Sequence, residues 1–534
     1  MAITNTQTSV TVPRPDSAGA NYTPALAVLT TLFFVWGSLT SLNDVLIPFA
    51  QNVFNLNLAE SFLIQTAFFF AYFVFSFPSA KIIDWIGYKR AIIVGLSTMV
   101  AACLLVYPAA KIPSFPFFLT ALLILAAGIT VLQVAANPYV AVLGRPETAS
   151  TRLNLTQAFN SLGTAVFPWV GAKLILGESV SAAAQSASQG AVVKLYVYFF
   201  AILLVLLAIL FAVFKLPKME AAEHRIGEKV EDSVWKHPNL VLGAVGIFVY
   251  VGAEVAIGSS IANYLALDNI GHFASGIADP AARYHAAKAI AAEFIGLYWL
   301  GAMFGRFIGS AVLSGVKTFQ IAIALAVALA VLTIAYVTGT TDYSQMSGVL
   351  ANLVALLHQL RPLVTLCTIV FALLLVISIM RGGRVRMKTG QMLGLCAGCA
   401  ALLVITSVLS AGHLAMWSIL LVGFFNSIMF PSIFTSGIAE LGQLTGDGSG
   451  VLNTAIVGGA VIPYIVGKVA DVINHSRFPE MTHGEISWGQ GIQYALIIAA
   501  FCYLYILFYA VSGSRPNSER YGKRASVLRA EARS

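Results

Sequence analysis

Charge is scarce in this sequence. Asp, Glu, Lys and Arg make up only 10% of its 534 residues, where soluble domains average about 25%. A chain so poor in charge cannot cover a water-facing surface, which excludes an ordinary soluble enzyme or binding domain. Cysteine is sparse as well. The five present (Cys103, Cys367, Cys396, Cys399, Cys502) all fall within apolar runs, so no disulfide framework is expected. Cys396 and Cys399 form a CxxC, but inside an apolar helix they read as two small residues rather than a redox or zinc pair. The eight histidines do not cluster at ligand spacing within apolar segments, so no metal and no cofactor is expected. GxxxxGKS/T, HExxH and GxSxG are all missing. Their absence argues against an ATP-driven pump and against the familiar hydrolases, and the chain is not expected to be an enzyme. No cleavable signal peptide is expected either, because residues 1–23 are polar and include Arg14 and Asp16.

What the sequence has instead is apolar length. It is 58% hydrophobic, with 44 Gly and 34 Phe. Runs of about 20 apolar residues recur from end to end, the length that crosses a bilayer as helix. An all-α membrane protein follows, with fourteen expected spans near 24–48, 60–83, 90–108, 116–141, 153–176, 194–214, 239–266, 290–314, 318–338, 362–380, 391–410, 414–437, 449–471 and 489–511. Lys89, Arg90, Arg145, Arg152, the basic residues of the linker, Arg381 to Lys388 and the tail from Arg515 then fall on one side. Basic loops stay in the cytoplasm, so both termini are expected there, in a bacterial inner (plasma) membrane. The net charge of +8 therefore belongs to loops and indicates no nucleic-acid partner.

The one long hydrophilic break, 216–238, separates two halves that resemble each other. Gln133 stands five residues before Pro138 and Asn426 five before Pro431, with Gly144 and Gly437 six beyond. The segment Gly163 to Pro168 matches Gly458 to Pro463. The two offsets, 293 and 295, agree, which marks an internal repeat of the kind transporters use. The first spans align at an offset near 215 and the second near 231. About 63 residues have therefore been gained at 317–389. That region reads as an inserted two-helix hairpin, with a short surface helix over 349–360. The expected division is a tail (1–23), a six-helix bundle (24–215), the linker (216–238), a second bundle with its insertion (239–511) and a tail (512–534).

Chemistry concentrates around residues 128–171. Gln133 and Asn137 lie on one apolar helix, and Asn154, Gln157 and Asn160 on the next. Amides inside a bilayer face a cavity, a ligand or another helix. They both donate and accept, as sugar hydroxyls do, so a hydroxyl-binding wall and helix-to-helix glue are the two readings. Asp44 is a carboxylate near the outer end of the first span. It is a candidate proton carrier, or an acid already in interfacial water or a structural pair. Glu254 lies near mid-depth of the seventh span and could bind a hydroxyl, titrate or pair with Arg306. Arg306, within GxxxGRxxG, reads as an inner-gate or structural cation, its glycines serving close helix packing. In the loop Asp84 to Arg90, Gly87 permits a tight turn, and Asp84 caps a helix N-terminus or pairs with a base, with Lys89 and Arg90 following.

The loop from Asp84 to Arg90 resembles the signature loop of the major facilitator superfamily. The segments LNDVLIPFAQNVFNL, LQVAANPYV, LNLTQAFNSLG, YVGAEVAIGS, GRFIGS, GFFNSIMFPSIF and IVGGAVIPYIVG resemble the fucose–proton symporter family, most closely its glucose/galactose branch. The resemblance implies a major facilitator fold: two six-helix bundles related by a pseudo-two-fold repeat around a central sugar site, working by alternating access. It implies that Asp44 is the coupling carboxylate and that Asn43, Gln157 and Asn160 contact sugar. Fucose carriers have a Glu where this chain has Gln133, and a Gln cannot relay a proton. Coupling then falls to Asp44 alone, to Asp44 with Glu254, or to sodium, or it is weak.

The resulting expectation is a monomeric sugar–proton symporter, with D-glucose and D-galactose as substrates. Gln133, Asn137, Gln157, Asn160, Asn426 and Asn453 would hydrogen-bond the sugar, and Trp36, Tyr250 or Trp299 would offer its ring an apolar face. Another sugar is the nearest alternative. A drug exporter on the same fold is a more distant one, because such pockets are apolar and this one is rich in amides.

Overall fold

A computed structural model describes residues 22–42, 46, 54, 63–112, 114–171, 192, 194–217, 232–292, 294–314, 316–317, 384–385, 387–477 and 490–516. The described chain is almost wholly helical. The first half comprises α1 (Thr23–Ser41), α2 (Leu63–Lys111), α3 (Phe115–Val142), α4 (Ala149–Gly171) and α5 (Lys194–Val213). The second comprises α6 (Pro238–Leu265), α7 (Pro280–Ala292), α8 (Ile295–Ser314), α9 (Thr389–Leu409), α10 (Gly412–Gly437, interrupted at Ser427 and Ile428), α11 (Gly442–Arg477) and α12 (Gly491–Gly513). Two short strands, β1 (Val316–Lys317) and β2 (Arg384–Val385), complete it.

Local sequence explains where helices start and stop. Proline in the first turn opens α1, α3 and α6, a position where its missing N–H is no loss. Helix ends leave carbonyls that a bilayer cannot hydrate. At the end of α3, Arg152 donates to Val140 O (3.0 Å) and Ala141 O (2.5 Å). At the end of α10, the Asn239 amide donates to Ser436, Gly437 and Ala439 carbonyls.

Among the described residues, ten helical stretches are long and apolar enough to cross a membrane. Their outer surfaces are apolar: Leu409 is 80% exposed, Val213 77% and Leu402 65%. In water such a surface would aggregate; against lipid it is the natural covering.

The repeat seen in the sequence holds in three dimensions. α1 packs on α4 as α6 packs on α11, and across the halves α4 meets α8 as α2 meets α11. Gly163 lies so close to Phe34 on α1 that a Cβ would collide with the Phe34 carbonyl, and Gly458 lies against the Phe248 carbonyl in the same way. Phe248 follows Phe34 by 214 positions and Gly458 follows Gly163 by 295, in line with the offsets for the first and fifth spans. Gly305 likewise meets the Phe424 carbonyl and Ser427, which is the close packing expected of its motif.

Two expectations change, and a third falls outside the described residues. The loop between the second and third spans shrinks to Gly87, which alone takes φ 77° and ψ 165° while α2 continues on both sides. Only glycine enters that region freely, so one residue makes the turn. The span expected at 290–314 begins at Ile295, and a separate helix, α7, precedes it. The expected hairpin spans 318–338 and 362–380 and the surface helix 349–360 lie outside the described residues. Their flanks do not: β1 and β2 pair antiparallel, with Val316 opposite Val385 and Lys317 opposite Arg384.

Candidate functional site

The two halves close on each other at the end that carries the basic turns. Lys81 on α2 lies between Asp84 of its own helix (3.1 Å) and Asp447 on α11 (2.9 Å). Asp84 Oδ1 also lies near Gly446 in the first turns of α11, so the carboxylate that pairs with Lys81 stands at the seam between the halves. Lys89 donates to Ala212 O at the end of α5 (3.0 Å), and Arg90 is exposed. A layer of hydroxyls follows. Ser150 bonds Thr435 (2.5 Å) and accepts from Thr389 (3.1 Å); Ser310 donates to Thr151 O (3.1 Å), and Ser449 to Val134 O (2.9 Å).

Beyond that layer lies a buried polar belt built from both halves. In the first half, Gln133 on α3 donates to the Tyr72 hydroxyl on α2 (2.7 Å). In the second, Asn426 on α10 donates to the Tyr298 hydroxyl on α8 (2.6 Å). The repeat thus reproduces an amide–tyrosine pair in each half. Tyr298 also donates to the backbone carbonyl of Glu254 (3.2 Å), and Tyr250 donates to Glu254 Oε1 (2.7 Å). Arg306 stands at the seam. Its Nε donates to Ser427 O (3.1 Å), its Nη1 to the Ser161 hydroxyl and to Gln157 O (3.5 Å), and its Nη2 lies 3.9 Å from Glu254. Four acceptors from three helices, α4, α6 and α10, surround a cation that burial alone would penalise heavily.

Several amides keep free capacity. Among the described residues, both polar atoms of the fully buried Asn137 lack a partner, as do Oδ1 of Asn154 and Asn453. Asn453 and Asn154 each donate to a serine carbonyl one turn back, Ser449 and Ser150 (2.9 and 2.8 Å). Buried unpaired amides in a native core call for an explanation. Asn160 behaves differently: its amide donates to Phe33 O on α1 (3.0 Å), a contact of the helix-glue kind. Trp36 is buried against Phe33, ring centroids 4.0 Å apart and planes tilted by 39°, and Tyr250 is buried with its hydroxyl on Glu254. Trp299 is partly exposed and meets Tyr298 edge-on. Asn43 and Asp44 lie outside the described residues.

Tyr72, Tyr298, Ser161, Lys81 and Asp447 escaped the sequence reading. A tyrosine or serine in an apolar helix looks like any other packing residue. The one signal was the spacing of 226 between the two tyrosines, close to the offset of the second spans.

Residues 28–375 match the family described as Major Facilitator Superfamily. The chain is similar to a glucose/galactose transporter of Brucella abortus biovar 1 (strain 9-941), 38% identical over 499 residues, covering 93% of this chain and 96% of the relative. It is 27% identical to the L-fucose-proton symporter of Escherichia coli (strain K12), covering 89% and 93%. Among solved structures, the transporter FucP in the outward conformation matches with a TM-score of 0.66 and 25% identity, over 92% of this chain and 99% of that one.

Proposed function

This chain belongs to the Major Facilitator Superfamily, and we propose that it carries D-glucose and D-galactose into the cell by proton symport. The observation that carries the reading is the belt split between halves. Gln133, Asn137 and Gln157 come from one half, Asn426 and Asn453 from the other, so each half holds part of a hydroxyl-binding wall. Rocking the halves would open that wall to one side and then the other, which is alternating access at a central site. The names of the relatives, glucose/galactose transporter and L-fucose-proton symporter, supply the substrate class and the coupling.

The basic end is the cytoplasmic end in this reading, by the excess of Lys and Arg there. Because polar contacts between the halves cluster at that end, the molecule stands in its outward-facing state in this reading. Twelve spans form the core, the two arms of α2 counting separately, and residues 318–383 add two more. Asp44 loads a proton from outside, favours sugar binding and releases the proton inside. A bound proton drives uptake only through its differential affinity for the two states. Gln133 takes no part in the relay, since an amide has no titratable proton.

Uptake of radiolabelled glucose into proteoliposomes, with and without an inward proton gradient, tests the proposal. Accumulation above equilibrium is expected, and Asp44→Asn should reduce it to simple equilibration while exchange of labelled for unlabelled sugar continues. Undiminished uphill uptake by Asp44→Asn would sink the coupling assignment. No entry of glucose, with entry of fucose or mannose, would sink the sugar.

A further inference from the structure

We infer that Arg306 is a partner-exchanging clasp whose second anchor is Glu254, so that Glu254 positions the cation and sets the balance of states instead of carrying the coupling proton. The inference rests on the alternating-access reading above.

Arg306 touches both halves. Ser161 and Gln157, its two acceptors on α4, belong to the first half; Ser427 O and Glu254 belong to the second. When the closed end opens, α4 and α8 part company, and the guanidinium loses both first-half acceptors together. It cannot discharge itself, because arginine stays protonated in proteins. Nor can it stay unpaired while buried. Glu254 is the ready replacement. At 3.9 Å from Nη2, it is within ion-pair range but beyond a good hydrogen bond, so about 1 Å of side-chain movement completes the contact.

The second half holds Glu254 in place for this. Tyr250 fixes Oε1 (2.7 Å), Tyr298 fixes the Glu254 carbonyl (3.2 Å), and Asn426 fixes Tyr298 (2.6 Å). All of these groups sit on α6, α8 and α10 and travel with Arg306 as the halves rock. The first anchor is therefore made only when the closed end is shut, whereas the second is available throughout and tightens when the first is lost. Removing either anchor should tilt the equilibrium, and in opposite directions.

Glu254→Gln and Ser161→Ala test this in the full-length protein. Two readouts are taken: distances between spin labels on Glu147 and Lys388, one on each half at the closed end, and uptake in proteoliposomes. Glu254→Gln should shift the labels toward the short distance and slow net uptake by about tenfold, the usual worth of a hydrogen bond to a charged group. Its accumulation ratio under a proton gradient should stay above equilibrium. Ser161→Ala should shift the labels toward the long distance, and Arg306→Lys should restore part of the effect seen with Arg306→Gln. If Glu254→Gln exchanges sugar but no longer accumulates it, Glu254 is a proton carrier and the inference falls. A shift in the same direction for both variants, or no shift in either, also overturns it. Should Glu254→Gln fail to reach the membrane, Glu254→Asp keeps the charge and draws it back by one methylene, and is expected to give a smaller shift of the same sign. Failure of the unmodified protein to take up any sugar would count against the transport reading instead.

Discussion

The same joint is built in two ways in the two halves. In the first, the second span turns into the third through Gly87 alone, and the helix resumes at once. In the second, the chain leaves α8 through β1, returns through β2 and only then enters α9. Around these joints the halves are near copies: the Gly163 and Gly458 contacts repeat, and so do the Gln133–Tyr72 and Asn426–Tyr298 pairs. The charges do not repeat. At the offset that relates Phe34 to Phe248, Glu254 falls opposite Thr40, and at the offset that relates Tyr72 to Tyr298, Arg306 falls opposite Ala80, so neither charge has a charged counterpart in the first half. In the proposed mechanism the repeat supplies the scaffold that rocks, and the charged departures from it set which end is shut.

The strongest way to break this comparison is at the shared packing. Gly163→Leu and Gly458→Leu would each drive a side chain into a backbone carbonyl of the neighbouring helix. Both should abolish folded protein, measured as monodisperse material in detergent, and to the same degree. A well-folded Gly458→Leu beside an unfolded Gly163→Leu would show that the halves are not structurally equivalent.

The next test sharpens the comparison at the belt. Tyr72→Phe and Tyr298→Phe each leave a buried amide without its partner, a loss of about 1–3 kcal/mol. Each should raise the half-saturating glucose concentration by roughly tenfold. Tyr298→Phe should also lower the maximal rate, because Tyr298 supports Glu254 as well. Equal effects in both variants on both parameters would remove the asymmetry argued here.

Lys81→Ala addresses the gate. Lys81 is half exposed, with its two acids on different helices, and exposed ion pairs contribute about 0.2–1 kcal/mol. A two- to fivefold loss of the shut closed end is expected by spin-label distances, and Lys81→Asp with Asp447→Lys should recover part of it. The smallest effect is reserved for the unequal joint. Deleting 318–383 and closing Lys317 to Arg384 with a two-residue Asn-Gly turn should leave glucose uptake within about twofold, since the paired strands already define a hairpin end. Loss of uptake on deletion would give the insertion a direct part in transport.

Much of this architecture was legible. Apolar run length gave the helices, and two matching offsets gave the repeat, because both are properties of sequence spacing. Asp84 and Gly87 were legible because a tight turn and a helix terminus impose residue types. The partners were not. Gln133 and Asn426 announced themselves as amides out of place in lipid, but nothing in the chain says that a tyrosine two helices away receives each one. Asn160 had the same signature as Gln157, yet its amide bonds the α1 backbone; burial type separates them, and that depends on tertiary packing. Glu254 and Arg306 were each visible, and their distance of 3.9 Å was not.

The neck formed by β1 and β2 also has a practical meaning. Directly paired residues on antiparallel strands stand about 5 Å apart, so Lys317 and Arg384 present a narrow socket on an otherwise continuous helical bundle. Any compact domain whose own ends lie that close can be spliced there without stretching α8 or α9. A fluorescent reporter seated in the socket would ride on the second half alone, and its orientation relative to a dye on the first would turn each transport cycle into an optical signal.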